Sequence, residues 1–145
     1  KRKLVFFKQY MIYYKFNLKL DNFYWVGSKA CKKKYLKSPQ WLRNQKVKEY
    51  SFFHFYKIKW NIIKNGGWHF SFLYDVEGII KKISSFQHTE FDKEEFKNRD
   101  TIINKINEGK DIFNRNFYYK KIDIDNKFPE YIRKNQNKFE NWIIK

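Results

Sequence analysis

Asn65-Gly66-Gly67-Trp68-His69-Phe70-Ser71-Phe72-Leu73-Tyr74-Asp75 places a chain break, a β-prone run and a helix cap in immediate succession. Residues 53–64 ahead of it are equally β-prone. Two such runs around a glycine-containing break predict a hairpin or a sharp strand–loop–strand. Asp75 is a capping residue for a helix over 76–86, weakened by Gly78. Ile79, Ile80, Ile83 and Phe86 fall on one face of that helix. Strand, break, strand and amphipathic helix in one stretch set the class as α/β or α+β.

The same alternation extends in both directions. In residues 10–20, Tyr10, Ile12, Tyr14, Phe16, Leu18 and Leu20 alternate with Lys15, Asn17 and Lys19 later in the run, the period of a half-buried strand. Asp21-Asn22 signals a turn, and 23–26 a second strand stopped by Gly27-Ser28. Ser38-Pro39 has the form of an N-cap followed by proline at the first helical position, predicting a helix over 40–48. Downstream, Thr89 to Asp92 fits a capping box, and a helix over 100–108 stops at Gly109. Residues 116–124 read as a strand. Pro129 opens a last helix carrying Tyr131, Ile132 and Arg133, which 139–144 continue. Helices concentrate in the second half.

The 145 residues suffice for one domain, or part of a larger one, and 42% hydrophobic with 22% aromatic content provides a core. The net charge of +17 attracts phosphates or acidic partners. Arginine, the better residue for forked phosphate and base contacts, occurs only at Arg2, Arg43, Arg99, Arg115 and Arg133. The lysines are dispersed and form a run only at Lys32-Lys33-Lys34, which reads as a solvated surface. Phe55-Tyr56-Lys57-Ile58-Lys59-Trp60 interleaves lysine with aromatics as a single-strand-binding module would. No nucleic-acid motif accompanies it, so no specific nucleic acid is expected. Cys31 is alone, which excludes an intrachain disulfide and favours a reducing, cytoplasmic setting. No apolar run approaches the ~20 residues of a membrane span.

Six ordered segments resemble glycosyltransferase family 17, the family of the bisecting β-1,4-mannosyl-glycoprotein N-acetylglucosaminyltransferase. They are Tyr13-Tyr14-Lys15-Phe16-Asn17-Leu18; Trp25-Val26-Gly27-Ser28-Lys29 with the Leu42-Arg43 pair; Asn65 to Ser71; Lys82-Ile83-Ser84-Ser85-Phe86-Gln87-His88-Thr89-Glu90; Glu108-Gly109-Lys110-Asp111-Ile112-Phe113-Asn114-Arg115; and Phe128-Pro129-Glu130-Tyr131-Ile132. The resemblance implies a GT-A-like α/β fold. It also implies inverting transfer of N-acetylglucosamine, or a related sugar, from a UDP-sugar donor to a glycan acceptor. The family's upstream Asp-x-Asp cluster, which holds a divalent metal such as Mn²⁺ against the diphosphate, has no counterpart here. Asp123-Ile124-Asp125 matches it in letters but reads as a strand-end turn. The chain, beginning at Lys1-Arg2-Lys3 without Met, is therefore expected to be a single partial domain. It would be the C-terminal half to two-thirds of a transferase, incomplete at its N-terminus, or an inactive fragment.

On that reading Glu90 is the expected base for the acceptor hydroxyl. His88 is the expected partner of the diphosphate or ligand of the metal. Gly66 and Gly67 would let backbone approach the donor, Trp68 would stack on a sugar face, and His69 and Ser71 would bind substrate. Asp92 fits a helix cap better than a base, and His54 reads as structural.

Overall fold

A computed structural model describes residues 4–47, 61–85 and 91–144. The architecture is mixed α/β, with two sheets and five α-helices among the described residues. Two compact units divide the chain, Lys1–Tyr10 with Tyr24–His69 and Met11–Phe23 with Phe70–Lys145.

In the first unit the strand β1 (Leu4–Phe7) is central. It pairs antiparallel with β4 (Lys29–Cys31), Val5 opposite Ala30, and parallel with β5 (Ile62–Ile63), Phe6 opposite Ile62. Phe6 is buried. The helix α1 (Pro39–Asn44) starts as the Ser-Pro pair predicts, with Ser38 Oγ accepting the Trp41 N–H at 3.0 Å. It ends at Asn44, short of the predicted boundary. Gln45 turns to extended backbone, and its side-chain amide donates to the Trp41 carbonyl, satisfying an orphan acceptor of the last turn.

In the second unit lie the greater parts of β2 (Gln9–Tyr13) and β3 (Leu18–Trp25), half of β6 (Trp68–Ser71), and all of β7 (Tyr119–Lys121). The strand order is β6-β2-β3-β7. β3 and β7 run antiparallel, with Leu20 opposite Tyr119. β6 therefore sits beside β2, and β5 beside β1. Of the strand–loop–strand expected around Gly66-Gly67, residues 53–60 lie outside the described residues, and β5 and β6, which flank the glycines, belong to different sheets and do not pair as a hairpin.

The helix α2 (Val76–Ser84) begins at the predicted cap, Asp75 Oδ1 accepting the Gly78 N–H at 2.8 Å. Ile79 and Ile83 are its buried face. Gly78 does not weaken it idly, since a Cβ there would lie 2.9 Å from the Tyr74 side chain. The short α3 (Glu94–Lys97) and α4 (Arg99–Asn107) pack against α2. Asn98, not foreseen, caps α4 by accepting the Thr101 N–H at 2.9 Å. Ile102 and Ile106 face the core. Gly109 ends the helix at φ +66 as expected. α5 (Glu130–Lys134) follows Pro129 directly, and Gln136–Trp142 is a 3-10 continuation.

The period-two run over 10–20 is not one strand. Tyr14 adopts φ +61 and ends β2, and β3 resumes only at Leu18. Conversely Asp21-Asn22 is no turn. β3 passes through both residues, with Asn22 alone at φ +50. The strand expected over 116–124 is shortened to β7.

Candidate functional site

In the first unit Gly66, Gly67, Trp68 and His69 are brought together with residues from β1 to β3. A Cβ at Gly66 would lie 2.8 Å from Phe7 Cβ and 3.1 Å from the Ile63 carbonyl, so the glycine's missing side chain is filled by its own chain. Gly66 N–H donates to the Lys8 carbonyl at 2.8 Å. Gly67, at φ +113, offers its carbonyl to the Tyr10 N–H at 2.9 Å. The pair is a tight turn docked on the start of β2, and only glycine satisfies both constraints.

His69 stacks on Trp25, with ring centroids 3.9 Å apart and planes 28° from parallel. Trp25 in turn folds back over Gly27, where a Cβ would fall inside its ring. Thus the Trp-x-Gly spacing has a packing cause, and it positions His69. Both rings remain half-exposed. Gln9 Nε2 donates to the Trp68 carbonyl at 3.3 Å. Its buried Oε1 has no hydrogen-bond donor among the described residues. Gln9 and Trp25 were not expected at this site. The first carries no sequence signal, and the second was visible only through its spacing to glycine.

Ser71 belongs to the second unit. Its carbonyl accepts the Tyr14 N–H at 3.2 Å. Immediately after it, Phe72 adopts φ +53. Tyr14 and Phe72 are thus both bulky, buried and left-handed, and their rings meet edge to face at 6.2 Å. Each such conformation costs about 1–3 kcal/mol and persists only where surrounding contacts over-determine it. Lys82 Nζ lies 4.2 Å from the Phe72 ring centroid and 5.2 Å from that of Tyr74, and burial lowers its pKa.

The contacts that hold Tyr14 centre on Asp111. This carboxylate is fully buried, and Arg115 forks onto it through Nε at 2.9 Å and Nη2 at 2.7 Å. The Phe113 and Arg115 N–H groups donate to Oδ2 at 3.1 and 3.2 Å. The Tyr119 hydroxyl donates to Oδ1 at 3.1 Å and the Tyr14 hydroxyl at 3.4 Å. Burial, with the Asp111 charge next for Tyr14 and the neighbouring Tyr14 for Tyr119, pushes both phenols well above the ordinary tyrosine range. The Asp111 hydrogen bonds likewise hold the Arg115 guanidinium protonated.

Asn17, from the same Tyr-Tyr-x-x-Asn segment, is buried and clips the chain's far end. Its Nδ2 donates to the Ile144 carbonyl at 2.8 Å and its Oδ1 accepts the Ile144 N–H at 2.9 Å. Asp125 behaves as the predicted turn residue, its Oδ1 accepting the Lys127 N–H at 2.9 Å.

His88, Glu90 and Thr89, as well as His54, lie outside the described residues. Among the described residues no three His, Cys, Asp or Glu side chains gather to hold a metal ion. No helix among them is long and apolar enough to cross a membrane. Comparison with protein-family models, curated proteins and solved structures finds no match to this chain.

Proposed function

We propose that the chain is part of a glycosyltransferase of GT-A-like architecture, similar to family 17, that transfers N-acetylglucosamine or a related sugar from a UDP donor to a glycan with inversion. What carries this reading is the placement of the resembling segments. Tyr14 and Asp111, 97 residues apart in sequence, share a buried hydrogen bond. Trp25 and His69, from two other segments, stack. Residues that resemble the family in sequence therefore serve one another in space, as expected of motifs retained for a common fold.

In this reading Glu90 takes the proton of the acceptor hydroxyl as it attacks the anomeric carbon. His88 binds the departing diphosphate. The Trp25–His69 stack gives a half-exposed flat surface on which a sugar's C–H face can rest. A divalent metal, when bound, would offset charge on the leaving diphosphate. Its acidic ligands are not offered by the described residues.

A thermal-shift titration with UDP-N-acetylglucosamine and Mn²⁺, with single-stranded DNA as polyanion control, tests the proposal. Metal-dependent stabilisation by the nucleotide sugar is expected, and Glu90→Gln is expected to keep it while abolishing turnover. Salt-sensitive stabilisation by DNA alone would replace this reading with a basic nucleic-acid-binding module. Full turnover in Glu90→Gln would remove the base assignment.

A further inference from the structure

The loop from Gly109 to Tyr119 returns to its own start. Tyr119 N–H donates to the Gly109 carbonyl at 2.7 Å, and Lys110 and Tyr118 form an isolated antiparallel bridge. At Gly109 a Cβ would collide with the Tyr119 carbonyl, so the closure is tight. Asp111 fixes the interior of the loop through the Phe113 and Arg115 amides. The result is a rigid, self-closed surface loop of the kind that often carries function. It encloses a cleft of about 160 Å³ whose walls include Lys105, Lys110, Asn114, Arg115, Asn116 and Tyr118, with Asp111 at its floor.

Charge in the cleft is not balanced. Asp111 is committed to Arg115, and Glu108 pairs with Lys110 at 2.7 Å. Lys105 Nζ rests on neutral acceptors, the Ile112 carbonyl at 3.0 Å and Asn114 Oδ1 at 2.6 Å. Among the described residues it has no carboxylate partner, so one cation is left over. Arg115 uses Nε and Nη2 on Asp111, which leaves Nη1 free to donate from a side chain 36% exposed. Beside these donors stand two side-chain amides and the exposed rings of Phe117 and Tyr118. The Arg115 guanidinium packs 5.0 Å from the Phe117 ring centroid, which holds that ring at the cleft's edge.

Spare cationic N–H groups fit an acid group, amides fit vicinal hydroxyls, and a ring face fits the C–H face of a pyranose. We propose that this cleft binds a sugar bearing an anionic group, with Lys105 and Arg115 on the acid, Asn114 and Asn116 on hydroxyls, and Tyr118 against the ring. For its biological role the site rests on the transferase reading, but its occupancy is measurable without turnover. The anionic sugar comes either from the donor, as a sugar joined to diphosphate, or from the acceptor, as a uronate-containing glycan.

NMR chemical-shift mapping of the full chain, titrated with N-acetylglucosamine 1-phosphate, tests the site. Neutral N-acetylglucosamine and inorganic phosphate are the comparison ligands. Shifts confined to Lys105, Lys110 and residues 114–118 are expected, with affinity for the sugar phosphate about tenfold above either half alone. Lys110→Glu and Asn116→Ala, both at exposed positions, are each expected to weaken binding about five- to tenfold. Lys127→Glu, outside the cleft, should leave it unchanged. Equal weakening by Lys127→Glu, or shifts spread over the surface lysines, would reduce the effect to diffuse charge and overturn the proposal. Phosphate binding as tightly as the sugar phosphate would overturn the saccharide assignment. UDP-N-acetylglucosamine and a glucuronate-containing disaccharide, run in parallel, separate the two sources. Absence of transfer when donor and acceptor glycan are supplied together, with binding intact, would count against the transferase reading alone.

Discussion

Arg115 closes a two-bond fork on Asp111, at 2.9 and 2.7 Å, over a carboxylate that has no exposed surface. The two residues are one helical turn apart in sequence yet lie in a loop, so the pair fixes loop geometry and not a helix. Five donor groups converge on Asp111: the Tyr14 and Tyr119 hydroxyls, the Phe113 amide, and both the amide and the guanidinium of Arg115.

Asp111→Asn replaces one acceptor oxygen by an NH₂ group facing donors and removes the countercharge of Arg115. A loss of about 2–4 kcal/mol is expected, because breaking a buried pair costs more than the pair contributes. Arg115→Lys retains charge but not the fork, and is expected to keep only part of that stability. Urea denaturation of both variants at neutral pH measures the difference.

Asn17→Ala orphans both backbone groups of Ile144 at once, since each is bonded to the Asn17 amide. The expected loss is about 1–3 kcal/mol. Hydrogen exchange at the Ile144 amide should rise well before global unfolding in the variant, whereas Ile79 in α2 should keep its protection.

Gly27→Ala puts a methyl group where the Trp25 ring lies and must displace that ring from His69. Overpacking of this kind costs about 1–3 kcal/mol. The variant is expected to lose the Trp25–His69 stack, read as a change in tryptophan emission and in the ring-proton shifts of His69. Gly27→Ser should behave like the alanine variant, because the collision arises at Cβ.

Alkaline pH should unfold the second unit cooperatively. Tyr14 and Tyr119 are held protonated in the folded state, mainly by burial, while in the unfolded chain each ionises near pH 10. Above that pH the unfolded state has released protons that the folded state retains. The contribution of both groups is therefore fully present below about pH 10 and lost as pH rises toward their raised folded values. Denaturation midpoints should be flat across the neutral range and fall from about pH 10 upward. Tyr119→Phe should flatten the alkaline decline, with phenolate absorbance recording the ionisation directly.

Local signals suffice where one residue decides a local geometry. Ser38 and Asp75 cap the helices assigned to them, and Gly109 takes the left-handed position that ends α4. Residues 10–20 misled because aromatic alternation is equally compatible with two strands joined by an aromatic turn. Distant contacts to Asp111 and Tyr119 offset the cost of the left-handed backbone at Tyr14, and no window around Tyr14 contains them. Of the candidate site, Gly66 to His69 was legible as a cluster because its members are contiguous. Gln9 was not, because a lone polar residue in a strand gains significance only from what packs beside it.

The sequence by itself determined the α/β class, the caps of α1 and α2, the apolar face of α2 and the excess of positive charge. These depend on residue type and spacing along the chain, which local sterics and hydrogen bonding convert directly into structure. Only the tertiary structure decided that Gly66 serves Phe7, that Trp25 carries His69, that Asn17 holds Ile144, and that Asp111 is the buried hub of the second unit. Gly66 with Phe7, Trp25 with His69, Asn17 with Ile144 and Tyr14 with Asp111 are contacts between residues distant in sequence. Their energy comes from excluding water around a particular pair, which no local pattern encodes.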